Sequence, residues 1–209
     1  MIDLYTSPTP NGRKVSIMLE ELGTPYEVHA IDLQTNQQKS DELADIMPNG
    51  KIPAIVDHDN GLKLFESGAI LLYLAEKHGK FLPVDPLAKA EVTAWLMWQI
   101  GGLGPMAGQA HHYFRSAIGK APYSDERLKT EVGRLYAVLN RRLEDRKYLT
   151  DAYSIADIAC WPWVSRYEWH QIDLSQFPNV QRWYRDVLER APVQRGYHVP
   201  KHMNDIPTG

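Results

Sequence analysis

Residues 51–74 read KIPAIVDHDNGLKLFESGAILLYL, a segment in which two short strand patterns precede a helix pattern. The run that follows Ile52-Pro53 is apolar, and a proline is tolerated at the first position of a strand, where an X-Pro bond can be cis. The DHDNG sequence in the middle of the segment has the composition of a turn. The segment predicts strands over 53–56 and 62–65 and a helix over 69–77.

The same segment offers two features that suit a ligand. A bend at Pro53 would leave the backbone N–H and C=O of Ile52 free to pair with an extended ligand backbone, as in strand addition. Glu66 and Ser67 stand where the helix begins, and the free N–H groups and positive dipole end of a helix bind carboxylates. The sequence therefore predicts a socket for a small anionic peptide.

Composition limits the functional classes that need consideration. The 209 residues include 44% hydrophobic residues and carry a formal charge of −3, which suits one compact chain or two small domains and gives no reason to expect a nucleic-acid partner. The start, MIDLYTSPTPNG, has no secretory signal pattern, and the apolar runs are far shorter than the ~20 residues of a membrane helix. A single cysteine, Cys160, excludes an internal disulfide and a CxxC redox pair. We expect a cytoplasmic protein without a membrane partner.

The first 80 residues alternate between strand and helix patterns. The order β-α-β-α-β-β-α fits a thioredoxin-like sheet with helices on both faces. Residues 79–85, GKFLPVD, read as a linker. Before the opening segment, the predicted elements are strands over 2–5 and 26–31 and helices over 12–22 and 39–46.

The remainder, residues 86–209, reads as all-helical. Asp85-Pro86 is a helix start, and glycines and a proline at 101–105 predict a bend or break in the long helix that follows. Ser124 is predicted to cap a helix that carries an apolar stripe from Leu128 to Leu143, and Ser154 with Asp157 forms a capping-box pattern. A further helix follows Pro178 and is expected to stop at 191–192, and the tail from Tyr197 is expected to be irregular.

The motif IP…ESxAI in the opening segment resembles the glutathione transferase superfamily, and the resemblance runs over nearly the whole chain. Residues 1–14, 64–77, 98–109 and 153–164 look most like the bacterial Nu-class, Ure2-like enzymes. The resemblance implies an N-terminal thioredoxin-like domain (residues 1–80) that binds glutathione and an all-helical domain (residues 86–209) that binds the second substrate. It also implies a homodimer and no metal cofactor.

Thr9 and Asn11 follow the first strand, where their position alone favours turn formation and capping. By the resemblance, Thr9 would donate its O–H and Asn11 its side-chain N–H to the glutathione sulfur. Neither residue is a base, and each would favour the thiolate by stabilising its charge. Tyr5 and Ser7 are rivals, since other transferase classes use Tyr or Ser near this point, although Tyr5 lies inside the strand.

The resemblance also implies residues that hold the rest of glutathione. Ser67 would bind the γ-glutamyl carboxylate and Glu66 the ammonium group, while an ordinary N-terminal cap pair is the alternative explanation. Ile52, after which Pro53 bends the chain, would contribute its backbone. The glycine end of glutathione is expected to contact Gln38 and Lys51. For Lys51, a charged residue beside a loop, simple solvation is the alternative explanation.

Three further features lie in the helical part. Arg127, Arg134 and Arg141 recur every seven residues, which usually marks a solvated face, but by resemblance Arg134 reaches the glutathione site of its own or a neighbouring subunit. Residues 98–114, rich in Gly, Met and aromatic side chains, are expected to form a second-substrate pocket, with helix packing as the alternative. Cys160 reads as a small buried hydrophobe.

These observations favour a glutathione-dependent disulfide-bond oxidoreductase, with peroxide as a further substrate class. Bound glutathione thiolate would attack the disulfide, and the Thr9-Pro10-Asn11 sequence favours this hypothesis. A transferase that conjugates glutathione to electrophiles would use the same site. A non-enzymatic glutathione-binding or interaction protein is the third hypothesis, because a fold does not fix a function.

Overall fold

The computed structural model describes all residues, 1–209, which group into two compact units. The first unit comprises Met1–Leu82 together with Leu188–Ile206, and the second comprises Pro83–Val187 together with Pro207–Gly209. The expected division into residues 1–80 and 86–209 therefore differs from the structure at the C-terminal segment, because residues 188–206 pack with the first unit.

The first unit contains a four-stranded mixed sheet of β1 (Ile2–Thr6), β2 (Tyr26–Ala30), β3 (Ala54–Asp57) and β4 (Leu62–Phe65), in the strand order β2-β1-β3-β4. Strand β1 pairs parallel with β2 and antiparallel with β3, and β3 pairs antiparallel with β4. This arrangement matches the expected thioredoxin-like domain. The helices of this unit are α1 (Pro10–Leu22), α2 (Ser67–His78) and α8 (Ala191–Tyr197).

Alternating burial along β1 separates the two faces of the sheet. Ile2 and Leu4 are fully buried, whereas Asp3 and Tyr5 are half-buried, as the two-residue period of a strand dictates. Helix α1 buries Val15 and Met18 in the same core. The half-exposed face carries a smaller apolar cluster in which Tyr5 packs.

Helix α8 was not predicted, and it explains why the chain returns to the first unit. Gly196 approaches α1 so closely that a Cβ there would lie 2.6 Å from the N and Cα atoms of Ile17. The Ser16 Oγ donates a hydrogen bond to the Gly196 carbonyl at 2.6 Å, and Arg13 Nε donates to the Tyr197 carbonyl at 3.0 Å. The helix after Pro178 ends at Leu188, before 191–192 as expected. A separate helix, α8, then begins at Ala191, because Pro192 stands in its first turn, where a missing N–H costs nothing.

One predicted helix of the first unit is also wrong. Residues 39–46 form no α-helix, and the region contains two 3₁₀ turns, Gln37–Lys39 and Asp41–Leu43. Neither turn contains a fully buried residue, so little packing is present to stabilise a longer helix in so short a segment.

The second unit is helical, as expected. At 101–105, where a bend or break was predicted, the helical path is not broken. A π-helical turn, Gln99–Leu103, joins α3 (Pro86–Trp98) directly to α4 (Gly104–His111), and a second π turn, His112–Ser116, follows α4. A π turn is a single helical turn with i→i+5 hydrogen bonds, which can occur inside a helix without ending it. The helices are α3 (Pro86–Trp98), α4 (Gly104–His111), α5 (Pro122–Arg142), α6 (Ile155–Val164) and α7 (Pro178–Leu188).

Capping predictions had mixed outcomes in this unit. Helix α5 begins at Pro122 after Ala121, so Ser124 lies inside the first turn and does not cap it. The capping box of Ser154 and Asp157 is confirmed, with both reciprocal hydrogen bonds formed. None of the helices combines the length and apolar character that crossing a bilayer requires.

Candidate functional site

The pairing of the strands collects four chain segments at one edge of the sheet. Tyr5 pairs with Ala54, and Ala54 pairs with Phe65, so the end of β1, the start of β3 and the end of β4 coincide. The segment after β2 joins them, since Ile31 N donates to the Thr6 carbonyl at 2.8 Å. The predicted site residues that follow β1, precede β3 and follow β4 therefore lie along this edge.

Thr9 is the N-cap of α1. Its backbone is extended (φ −103°, ψ 162°), and its Oγ1 accepts a hydrogen bond from Gly12 N at 3.2 Å. A threonine hydroxyl has one donor hydrogen besides its lone pairs, so this cap leaves the hydrogen available for a further acceptor. A Cβ on Gly12 would overlap the Ser7 carbonyl oxygen and Thr6 Oγ1, so only glycine permits this close approach.

The neighbours of Thr9 differ in what their side chains can offer. Asn11 is a half-buried residue in the first turn of α1, two positions after Thr9. The Ser7 Oγ donates its hydrogen to the Ile31 carbonyl at 3.0 Å and is buried, so its hydroxyl serves the fold. Tyr5 stacks on His29 with ring centroids 4.5 Å apart, and burial, with the nearby carboxylates, raises its pKa.

The Ile52-Pro53 peptide bond is cis, and it lies immediately before β3. Ile52 falls outside the β1–β3 and β3–β4 registers, both of which reach no further than Ala54. Its side chain packs against the apolar cluster of Ile31, Met47 and Ala54. The side chain is thus anchored in the fold while the backbone precedes the ladder.

Glu66 and Ser67 stand at the start of α2. Glu66 has a left-handed backbone (φ 69°, ψ 112°) and makes no side-chain cap bond to the helix. A positive φ at a non-glycine residue costs of order 1–3 kcal/mol and is concentrated at functional sites. The Glu66 carboxylate meets only a long contact, 3.5 Å, with the Asn49 amide. This arrangement differs from the ordinary cap pair that was the alternative explanation.

A buried lysine beside Ser67 was missed from the sequence. Lys14 is 1% exposed, and its Nζ donates to the Ser67 Oγ at 3.2 Å. The contact joins the N-terminal half of α1 to the first turn of α2 and adds a positive charge to the N-terminal dipole of α2. The only available signal was a lysine beside the apolar face of α1, next to Val15, and such lysines are usually exposed.

Gln38 and Lys51 lie in adjoining segments. The Gln38 Oε1 is buried and accepts no hydrogen bond, which is unusual for an amide oxygen in a folded protein. A Cβ on Gly50 would lie 3.2 Å from the Lys39 side chain and 3.7 Å from the Gln38 carbonyl, so the 3₁₀ turn packs beside residue 50. Lys51 is exposed.

Arg134 belongs to the second unit and lies on the exposed side of α5. Its guanidinium makes two hydrogen bonds of 2.7 Å to the Glu131 carboxylate within the same helix. Its predicted contact with glutathione stays a prediction. In the same unit a cavity of about 550 Å³ is lined by residues of α5 and, from the predicted pocket segment 98–114, by Met106.

Cys160 is fully buried in α6. The prediction that it behaves as a buried apolar residue is confirmed by its position. A buried thiol of this kind is inert toward bulky substrates.

Comparison with known proteins defines the class. Residues 1–76 match the family model described as the N-terminal domain of glutathione S-transferase, and residues 105–191 match the C-terminal domain model. The chain therefore belongs to the glutathione S-transferase family, which confirms the resemblance and the expected fold.

Individual members of this family are similar to the chain over nearly its whole length. The disulfide-bond oxidoreductase YfcG of Escherichia coli K12 is 51% identical over 196 residues, covering 91% of each chain. A glutathione transferase of Pseudomonas putida, solved with one glutathione disulfide per subunit, is 44% identical with a TM-score of 0.91, and the alignment covers 95% of this chain and 91% of that one. A Burkholderia graminis glutathione transferase with two glutathione molecules per subunit is also 44% identical, with a TM-score of 0.91 and coverage of 97% and 89%.

Proposed function

We propose that this protein is a glutathione-dependent disulfide-bond oxidoreductase that reduces small disulfides through a bound glutathione thiolate. The observation that carries the proposal is the Thr9 hydroxyl, which accepts from Gly12 N and so keeps its own hydrogen for a sulfur at the N-terminus of α1. The 51% identity to YfcG, a disulfide-bond oxidoreductase, supports the same activity.

Glutathione would occupy the edge of the sheet where the site residues meet. The backbone of Ile52 would pair with the cysteinyl unit, in the manner of an added strand. Ser67, with Lys14 donating to its hydroxyl, would bind the γ-glutamyl carboxylate, and Glu66 would bind the ammonium group. The unsatisfied Oε1 of Gln38 would accept from the amide N–H of the glycine residue of the peptide.

Catalysis would consist of thiolate stabilisation and positioning. Thr9 and the Asn11 amide would donate hydrogen bonds to the glutathione sulfur, which favours the ionised form and lowers the pKa of the thiol. One glutathione thiolate breaks the substrate disulfide and forms a mixed disulfide, and a second glutathione resolves it. Two glutathione molecules thus become glutathione disulfide while one disulfide becomes two thiols, and the buried Cys160 takes no part.

The test separates the two roles of Thr9. Turnover of 2-hydroxyethyl disulfide with glutathione is measured by coupling to glutathione reductase and NADPH. Thr9→Ser retains cap and donor and should stay within about threefold of wild type. Thr9→Asp retains the cap but has no hydrogen to donate and repels a thiolate, so kcat/KM should fall about 10²-fold, as for other lost donors to a developing anion. Thr208→Ala, which removes the hydroxyl of an exposed threonine in the tail, is the control.

Equal turnover by wild type and Thr9→Asp would overturn the proposed role of Thr9. Absence of disulfide reduction in the wild type, together with rapid conjugation of an aryl halide, would show a conjugating transferase instead. Glutathione binding without either reaction would favour a binding protein, and parallel assays with hydroperoxides define whether peroxides are also reduced.

We further propose that the protein is a cytoplasmic homodimer. The cytoplasm maintains the reduced glutathione that this reaction consumes. Exposed apolar side chains at the start of and along α3 support self-association, since Leu87 is 82% and Met97 is 46% exposed. Arg134 of α5 would then bind glutathione in the site of its own or the neighbouring subunit. To do so, its guanidinium would leave the Glu131 carboxylate and pair with glutathione instead.

A further inference from the structure

Four side chains with metal-binding atoms meet on the half-exposed face of the sheet. Asp3 of β1 is directly opposite Glu27 of β2, and His29 follows two positions later on the same strand. His58 comes immediately after β3. The backbone N–H of His58 donates to the Met1 carbonyl at 3.0 Å, which extends the β1–β3 pairing by one residue. Because side chains alternate between faces with a period of two, all four project to the same side.

The distances within this cluster suit one bound ion. The ligand atoms of Asp3, Glu27 and His29 all lie within 4.8 Å of one another. The Nε2 atom of His58 is 2.9 Å from Asp3 Oδ2, and the Nε2 atom of His29 is 3.5 Å from the same oxygen. Ligand bonds of about 2.1 Å at tetrahedral angles place neighbouring ligand atoms ~3.4 Å apart. Small rotations bring Asp3, Glu27 and His29 to this spacing, whereas His58, which contacts Asp3, must turn further toward the other two to become the fourth ligand.

Hydrogen bonds alone leave this cluster incompletely satisfied. The Asp3 side chain is only 14% exposed, and its Oδ1 is buried and accepts no hydrogen bond. His29 Nε2 likewise makes no hydrogen bond. Two carboxylates, those of Asp3 and Glu27, repel each other at this distance unless a cation lies between them. The nearby Lys63 ammonium is paired with the Asp45 carboxylate.

We propose that Asp3, Glu27, His29 and His58 form a binding site for one divalent transition metal ion of the Zn²⁺ class. Two imidazoles and two carboxylates are ligands that Zn²⁺ accepts in a four-coordinate site. Tyr5 stacks on the His29 ring, with 11° between the ring planes, and so holds one ligand in a fixed orientation before the metal arrives.

The metal would be separate from the glutathione chemistry. Asp3 lies at the start of β1, and Thr9 follows the other end of that strand. The three residues from Asp3 to Thr6 alone extend about 10 Å. The site is therefore structural, joining β1, β2 and the end of β3, and the proposed disulfide reduction does not require it.

The proposal is tested on untagged, full-length protein that has been dialysed against a chelator and is then titrated with Zn²⁺ by calorimetry. Wild type should bind one Zn²⁺ per chain, and the double variant with His29→Gln and His58→Gln should bind at least tenfold more weakly. Zn²⁺ should raise the thermal unfolding midpoint of wild type and leave that of the double variant unchanged. Far-UV circular dichroism verifies that the variant is folded.

Two controls make the test specific. His112→Gln removes an exposed histidine of the second unit and should bind Zn²⁺ as wild type does. His202→Gln disrupts the tail histidines, where His198 and His202 stack 4.2 Å apart beside Asp205, and should also leave binding unchanged. Loss of binding in His202→Gln, or wild-type affinity in the double variant, would overturn the proposal. So would the absence of measurable Zn²⁺ binding by wild type.

Discussion

Lys14 illustrates how one buried charge serves both the fold and the proposed substrate. Its ammonium donates to Ser67 at the first turn of α2, where the γ-glutamyl carboxylate would bind. Because the carboxylate is remote from the reacting sulfur, its interaction with this charge is the same before and during the reaction. Lys14 should therefore contribute to substrate affinity rather than to the chemical step.

Lys14→Met, which retains most of the side-chain volume, should raise the KM for glutathione about tenfold, a loss of ~1.4 kcal/mol, and change kcat little. Steady-state kinetics with varied glutathione measures both constants. Lys80→Met, which removes an exposed lysine just after α2, is the control and should match wild type. An unchanged KM in Lys14→Met would contradict the assigned contact.

Three aromatic side chains of the second unit form a buried chain of hydrogen bonds. The Nε2 atoms of His111 and His170 are 2.8 Å apart, and the Nδ1 atom of His170 is 2.9 Å from the Tyr136 hydroxyl. One hydrogen lies between the two histidines, and adding another would set two N–H groups against each other. Burial, with nearby Arg166, lowers the pKa of His111 to about 4 and that of His170 well below its usual value.

These lowered pKa values predict a loss of stability in acid. In the unfolded chain a histidine has a pKa near 6.5, so between pH 6.5 and 4 the unfolded state binds more protons and the free energy of unfolding falls as the pH falls. Burial raises the pKa of Asp157 to about 6, which acts in the opposite direction over part of this range. The contribution of His111 to the pH dependence of stability is therefore measured by comparison with a variant that lacks this histidine.

Between pH 7 and 5, wild type should lose about 2 kcal/mol more stability than His111→Gln, whose side chain can hydrogen-bond but does not titrate. Urea unfolding at a series of pH values provides the measurement. Parallel pH dependence of wild type and variant would show that His111 titrates as it does in the unfolded chain.

At the scale of elements, the start of α1 depends on a single glycine. Gly12→Ala would drive a Cβ into the Ser7 carbonyl and Thr6 Oγ1, so the first turn of α1 must move and Thr9 with it. We expect a loss of about 2–3 kcal/mol in the free energy of unfolding and a marked loss of disulfide reduction. Gly133→Ala in α5 meets no atom within 4 Å and should gain about 0.5–1 kcal/mol from helix propensity. Chemical denaturation compares the pair, and similar effects at both glycines would contradict the steric argument.

The sequence predicted most elements because their patterns are local. The strands, α1, α2 and the capping box at Ser154 follow from period and capping chemistry alone. The predicted helix over residues 39–46 is absent because the short amphipathic pattern has too little buried surface to support a helix. The helix through 101–105 continues because a π turn accommodates the glycines, a geometry without a sequence signature.

The sequence likewise predicted part of the candidate site and missed part of it. Thr9, Ile52 and Glu66 were located correctly at the ends of their elements because a thioredoxin-like order brings these ends together. Lys14 was missed because its partner, Ser67, is 53 residues away and only the packing of α1 beside α2 brings them together. The Asp3 cluster was missed for a similar reason, since its ligands come from β1, β2 and the residue after β3.

For the whole molecule, the proposed dimer gives a direct prediction. Light scattering behind size-exclusion chromatography should give twice the chain mass of 23.9 kDa. Leu87→Glu places a charge on an exposed apolar position in the first turn of α3 and should shift the protein toward monomer, whereas Met203→Glu in the tail should not. A monomeric wild type at micromolar concentration would contradict the dimer.

The return of α8 to α1 has a consequence for how the protein is made. The first unit needs residues 188–206, which leave the ribosome only after the 105 residues from 83 to 187 have been synthesised. At ~5–20 residues per second, this interval lasts about 5–20 s. During it, the side of α1 that Gly196 and Tyr197 later cover stays open to chaperones and to other nascent chains. The first unit thus matures only after residues 83–187 of the second unit have been synthesised.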